Sequence, residues 1–230
     1  MDLTQQIRGA LPRDLIIDLL DMAVSRTREA FELIRHTDLI GRSARGLEGQ
    51  ARFRLMEKGF QDVCERHGGL ALEGDIIPGT DLRFYQPFRR FGGDGPGVLL
   101  GLASMPAPRE LPVKNRSREA GVSLNYRLTP RLPLEGDEAR LRPGDIFVCF
   151  LFARDRSQAG RVEEVAVGVI DTEYTSFVLY ETFDQFLTGY VEPVLPQDDA
   201  PPSLVRLKRT RKAFHPPEAP KPDDAANDRE

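Results

Sequence analysis

Residues 146–187 read IFVCFLFARDRSQAGRVEEVAVGVIDTEYTSFVLYETFDQFL, and the fold turns on them. Three extended apolar runs, Ile146 to Arg154, Arg161 to Asp171 and Ser176 to Glu181, are separated by two short polar connections, ArgAspArgSerGlnAlaGly and AspThrGluTyrThr. Runs of β-branched and aromatic residues punctuated this closely describe an antiparallel meander. At Thr182 the pattern changes. Gln185 stands three residues on, the spacing of a capping box, and Phe183, Phe186 and Leu187 supply one apolar face, so a short helix is expected to close the meander and pack back onto it.

Working toward the N-terminus, Val98 to Ser104 and Asp81 to Phe91 are two further candidate strands, joined by the glycine-rich loop at 92–97, which would reverse them into a hairpin. Val122 to Leu128 alternates apolar and polar residues and reads as a sixth strand. Before Gly68-Gly69 the period is helical. Leu15, Ile16, Leu19, Leu20, Ala23, Phe31 and Ile34 mark one amphipathic helix over 12–35; Leu47, Ala51, Leu55, Met56, Phe60, Val63 and Cys64 mark a second over 43–67, with Ser43 as its expected N-cap and the two glycines as its stop. The expected architecture is α+β: two N-terminal helices packed on a mostly antiparallel sheet of about six strands, with a short closing helix.

A single domain over 1–192 follows, because a segment of this size buries a sufficient core without staples. Prolines accumulate beyond it and apolar periodicity stops, so 193–230 is expected to be a disordered, charged tail. No apolar run approaches the roughly 20 residues of a membrane span, and the N-terminus lacks the order of a signal peptide, which points to a cytoplasmic protein. Cys64 and Cys149 both fall inside apolar patterns and read as buried thiols. With two cysteines and three scattered histidines there is no transition-metal ligand set and no histidine-based nucleophile.

The formal net charge of −4 conceals an uneven distribution. Residues 82–132 carry Arg83, Arg89, Arg90, Arg109, Lys114, Arg116, Arg118, Arg127 and Arg131 against Asp94, Glu110 and Glu119. A second cationic run lies at 206–212 in the tail. Arginine forks recruit phosphate oxygens and an adjacent tyrosine can stack on a base, so Arg89, Arg90, Lys114, Arg116, Arg118, Tyr126 and Arg127 are the candidate nucleic-acid contacts. The leading expectation is a non-enzymatic binding or accessory protein whose basic face, 82–132, meets nucleic acid or an acidic protein.

Two alternatives stand beside it. Magnesium-dependent nucleases of the PD-(D/E)XK type combine a helix acid, a second acid and an acid-X-lysine on adjoining strands. Glu48, Asp75 or Asp81, Glu110 and Lys114 occur in that order, although three residues including Pro112 separate Glu110 from Lys114. Only this reading implies a cofactor, magnesium; the leading one implies none. The third possibility is an interaction module that recruits a partner by adding a strand to an exposed sheet edge, with no polyanion involved.

Overall fold

The computed structural model describes residues 2–72, 75–76, 83–84, 86–93, 96–128 and 144–190. Asp81 and the expected tail, 193–230, lie outside the described residues. Three helices open the chain, α1 (Leu3–Ala10), α2 (Arg13–Arg35) and α3 (Gly41–Arg66). Strands β1 (Leu70–Ala71), β2 (Phe88–Phe91) and β3 (Val98–Met105) follow. Next come α4 (Arg116–Val122) and a 3₁₀ turn (Ser123–Arg127), then β4 (Ile146–Arg154), β5 (Val162–Ile170), β6 (Phe177–Thr182) and α5 (Phe183–Thr188). The six strands form one sheet in chain order, and every neighbouring pair is antiparallel except β3 and β4. The architecture is α+β, as the apolar patterning predicts.

Alternation along the central strands distributes the core between two faces. Val98, Leu100 and Leu102 of β3, Val148, Phe150 and Phe152 of β4, and Val165, Val167 and Val169 of β5 join Leu15, Leu19, Met56, Phe60, Val63 and Phe186 from the helices. On the opposite face Leu99, Ala103, Phe147, Cys149, Leu151 and Ala166 pack with Ala120, Val122 and Leu124 from the crossover. β3 and β4 are therefore buried on both sides, which explains their unbroken apolar runs, since a strand covered twice has no polar face to alternate with. Parallel pairing requires a crossover connection, and α4 with its 3₁₀ turn is part of it.

That crossover corrects the sequence reading. Val122 to Leu128 is not a strand. The Asn115 side-chain oxygen accepts from the Arg118 N–H at 2.9 Å, an N-cap that starts α4, and the helix tightens into the 3₁₀ turn. Asn125, fully buried, then grips two strands at once: it donates to the Phe147 and Ile170 carbonyls at 3.1 and 2.9 Å, and its oxygen accepts from the Phe147 N–H at 2.9 Å. An added Cβ at Gly121 would come within 2.6 Å of the Phe147 ring, so glycine is what allows the helix to lie this close to β4.

Two boundaries and the extent of one buried stripe also differ from expectation. Of the described part of the expected strand 81–91, Phe88–Phe91 pair as β2 and Arg83 makes an isolated antiparallel bridge to Ile76; Pro87, which has no N–H to give, precedes β2. Helix α3 begins at Gly41, with Ile40 as N-cap, instead of after Ser43. Its stripe is buried from Met56 onward, whereas Leu47 remains 40 % exposed, so the first half of α3 projects beyond the core. Elsewhere the local signals hold. Gly68 takes a φ of +80° after α3, Thr182 and Gln185 form the capping box of α5, and both cysteines are buried free thiols.

Candidate functional site

The candidate contacts within 82–132 do not form one free basic face. Arg89 is 8 % exposed; it donates to Glu65 at 2.6 Å and to the Phe88 carbonyl at 3.2 Å, tying β2 to the end of α3. Arg90 holds Asp145 with two bonds of 2.7 and 3.0 Å and reaches the Gly93 carbonyl. Asp145 also accepts from the Gly97 N–H, so this buried carboxylate fastens the β2–β3 loop to the start of β4. Arg118 is 8 % exposed within the crossover. Lys114 faces Glu119 at 3.1 Å with both side chains about half exposed. Arg116 is exposed, Tyr126 is half-buried on the 3₁₀ turn, and Arg127 belongs to that turn with its side chain outside the described residues.

The nuclease candidates among the described residues are not joined to one another. Glu48 bonds Arg52 at 2.9 Å on its own helix, and Lys114 pairs with Glu119. Glu110 is exposed in the loop after β3, where its N–H donates to the Ala107 carbonyl. Asp75, with a φ of +53°, is exposed in the segment after β1. No group of three or more His, Cys, Asp or Glu side chains able to hold a metal ion occurs among the described residues.

A different cationic cluster emerges where the projecting half of α3 meets the β4–β5 hairpin. Arg45 and Arg52 from the helix, with Arg154, Arg156 and Arg161 from the hairpin, line a cleft of about 160 Å³ together with Glu48 and Asp155. Both acids are engaged. Glu48 is bonded to Arg52. Asp155 accepts from the Ser157 N–H and hydroxyl at 2.7 and 2.6 Å and from the Gln158 N–H at 2.9 Å, and these bonds, the Ser157 hydroxyl foremost, keep its carboxyl below the usual range. It thereby acts as the cap of the hairpin turn. Burial lowers the Arg52 pKa; Glu48 opposes that, and Arg154 adds to it by repulsion.

The cleft is rigidly placed. Gly160 turns the hairpin at a φ of +74°, and a Cβ there would meet the Phe31 ring of α2 at 2.9 Å. Arg156 is steered by its bond to the Pro106 carbonyl at 2.6 Å. Arg45, Arg154 and Arg161 are exposed and make no ion pair among the described residues. Counting charge along the chain misses this cluster because its two halves lie about 110 residues apart. The local trace was three arginines in the turn 154–161, and two more spaced seven apart, two turns of one helix face.

Beside it, across Pro106, lies a larger and mostly apolar cleft of about 430 Å³ bordered by Phe53, Leu102, Met105, Val113, Phe152 and Arg118. No helix among the described residues is long and apolar enough to cross a membrane. No protein-family model, curated protein or solved structure matches the chain.

Proposed function

We propose that the protein is a non-enzymatic binding or accessory protein of the cytoplasm that contacts nucleic-acid phosphates through the arginine cleft between α3 and the β4–β5 hairpin. The observation that carries this reading is the convergence of five arginines around two carboxylates that are already occupied by a helix pair and a turn. Arginine matches phosphate oxygens with paired, planar donors, and a positive cluster held in a concavity concentrates that attraction. Phosphate is favoured over protein carboxylates because all five cations are arginine and no apolar side chain beyond Ala159 lines the cleft to anchor a peptide. Of the expected basic face at 82–132, Arg89, Arg90 and Lys114 pair with acids inside the molecule and Arg118 is buried in the crossover, while Arg83, Arg109 and Arg116 are exposed.

The test is the salt dependence of binding to labelled single- and double-stranded oligonucleotides, read by anisotropy. Removing three charges with Arg45→Gln, Arg154→Gln and Arg161→Gln is expected to weaken binding and flatten the log-log salt slope by about two to three units. The melting temperature should hardly move, because these side chains are exposed. Lys114→Gln with Arg116→Gln should have the smaller effect. No binding at about 50 mM salt, or an unchanged slope in the triple variant, refutes the proposal; tighter binding to polyglutamate than to either oligonucleotide would assign the cleft to an acidic protein instead.

A further inference from the structure

Among the described residues the sheet is incomplete beside the second half of β3. β2 pairs with β3 only from Phe91 opposite Val98 to Phe88 opposite Gly101, whereas β4 follows β3 as far as Met105 opposite Ala153. Leu102 to Met105 thus has a strand partner on one side alone among the described residues, over about 13 Å at roughly 3.3 Å per residue. In an extended strand alternate residues turn their N–H and C=O to the open side, a template for another strand. The apolar cleft runs along this edge. Leu102 and Phe152 form buried wall, while Phe53 and Val113, 41 % and 71 % exposed, flank it as uncovered apolar side chains.

One charged group stands in the wall. Arg118 donates through Nε and Nη2 to the Val113 carbonyl and through Nη1 to the Gln86 side-chain oxygen, which also accepts from Asn115 at 3.2 Å. All its acceptors are neutral. Of five guanidinium N–H groups, these bonds use three, and among the described residues no carboxylate pairs with this cation, which is 8 % exposed. Close to it lies the buried Tyr174 hydroxyl; burial raises its pKa and Arg118 opposes the rise.

Position and polarity fix the direction of an occupant. Gln86 lies two residues before β2, so the Gln86–Arg118 pair marks the end of the open edge where β2 begins. A strand added antiparallel to β3 would run from Met105 toward Leu102 and come to a stop there, against Phe88. We infer that this cleft receives the C-terminal segment of a partner protein, added antiparallel to Leu102–Met105, with its terminal carboxylate held by Arg118 and its apolar side chains between Phe53 and Val113. A chain end fits where a continuing chain would collide with β2, and main-chain bonding along an edge with a captured carboxylate is an established mode of peptide recognition. This site is independent of the arginine cleft.

The experiment uses the full chain and a pool of N-terminally labelled octapeptides ending in Val, Leu, Ile or Phe, each as the free acid and as the C-terminal amide, read by fluorescence anisotropy. Free acids are expected to bind, with their amides at least about tenfold weaker. Phe53→Glu and Val113→Glu change exposed positions and should each abolish binding without lowering the melting temperature, whereas the triple arginine variant of the other cleft should bind normally. Arg118→Gln should remove the preference for acid over amide; if it fails to fold, the two exposed variants still decide. Failure of every free acid to bind, equal affinity for acids and amides, or full affinity in Phe53→Glu overturns the inference. Octanoate displacing the peptides at equal concentration would overturn it too, by showing that main-chain pairing contributes nothing.

Discussion

Asn125→Ala probes how the crossover is fastened to the sheet. The Asn125 carboxamide is fully buried and satisfies three main-chain groups, the N–H and C=O of Phe147 and the C=O of Ile170. Truncation strands all three in a dry environment. Each unsatisfied buried group costs about 1 to 3 kcal/mol, the carbonyls toward the lower end because they retain a second lone pair. Allowing for partial relaxation, the expected loss is about 3 to 5 kcal/mol. For a domain of this size that corresponds to a fall in melting temperature of roughly 6 to 20 °C. Urea denaturation followed by far-ultraviolet circular dichroism gives the number directly, provided that the slope against denaturant is unchanged. Asn125→Asp is the informative companion: it keeps one acceptor, loses both donations and buries a charge, and it should be at least as damaging at neutral pH. A loss below about 1 kcal/mol for the alanine variant would mean that the 3₁₀ turn does not hold β4 and β5 together, and the account of the crossover would fall.

Two further outcomes follow from the core and its loops. Phe60, fully enclosed where α3 meets the sheet, should cost roughly 3 to 5 kcal/mol on replacement by alanine, and a calorimetric loss under about 1 kcal/mol would contradict its enclosure. At the β5–β6 turn burial works against ionisation of Asp171, but hydrogen bonds from Ser176 and Thr175 outweigh it and bring the carboxyl down to about 2. A depressed folded-state pKa stabilises above the unfolded value near 3.8 and loses that contribution as pH falls toward 2, so the melting-temperature gap between wild type and Asp171→Asn should narrow over that window; a gap that is constant from pH 6 to 2 refutes the assignment.

The sequence disclosed the fold where one local rule governs each segment. The meander, the glycine-terminated helix and the Thr182 capping box are all set by neighbours within a few residues, and each stands as read. Residues 122–128 read as a strand because Val122, Leu124, Tyr126 and Leu128 alternate, yet the Asn115 cap and the strand bonds of Asn125 enforce a helical path; that contest is settled by tertiary contacts. For the site the difficulty is of another kind. A charge count treats every arginine as surface, but Arg89, Arg90 and Arg118 are structural bonds made to Glu65, Asp145 and Val113. Their partners lie anywhere from 5 to 55 residues away. Conversely Arg45, Arg52, Arg154 and Arg161 become neighbours only through packing.

The parallel pairing of β3 with β4 has an entropic corollary. Closing the connection of about 40 residues between them costs roughly 3 kcal/mol of chain entropy, against under 2 kcal/mol for the short β4–β5 turn. The midline of the sheet therefore begins at a disadvantage that no tight turn offsets. It is recovered by burying both faces of the same two strands, which restricts nearly every position from Val98 to Ala153 within them to apolar side chains or glycine. Ser104 and Arg154 are the exposed exceptions, and both sit toward the strand ends beside the two clefts, so the positions freed from the core's demand are the ones that open onto those clefts.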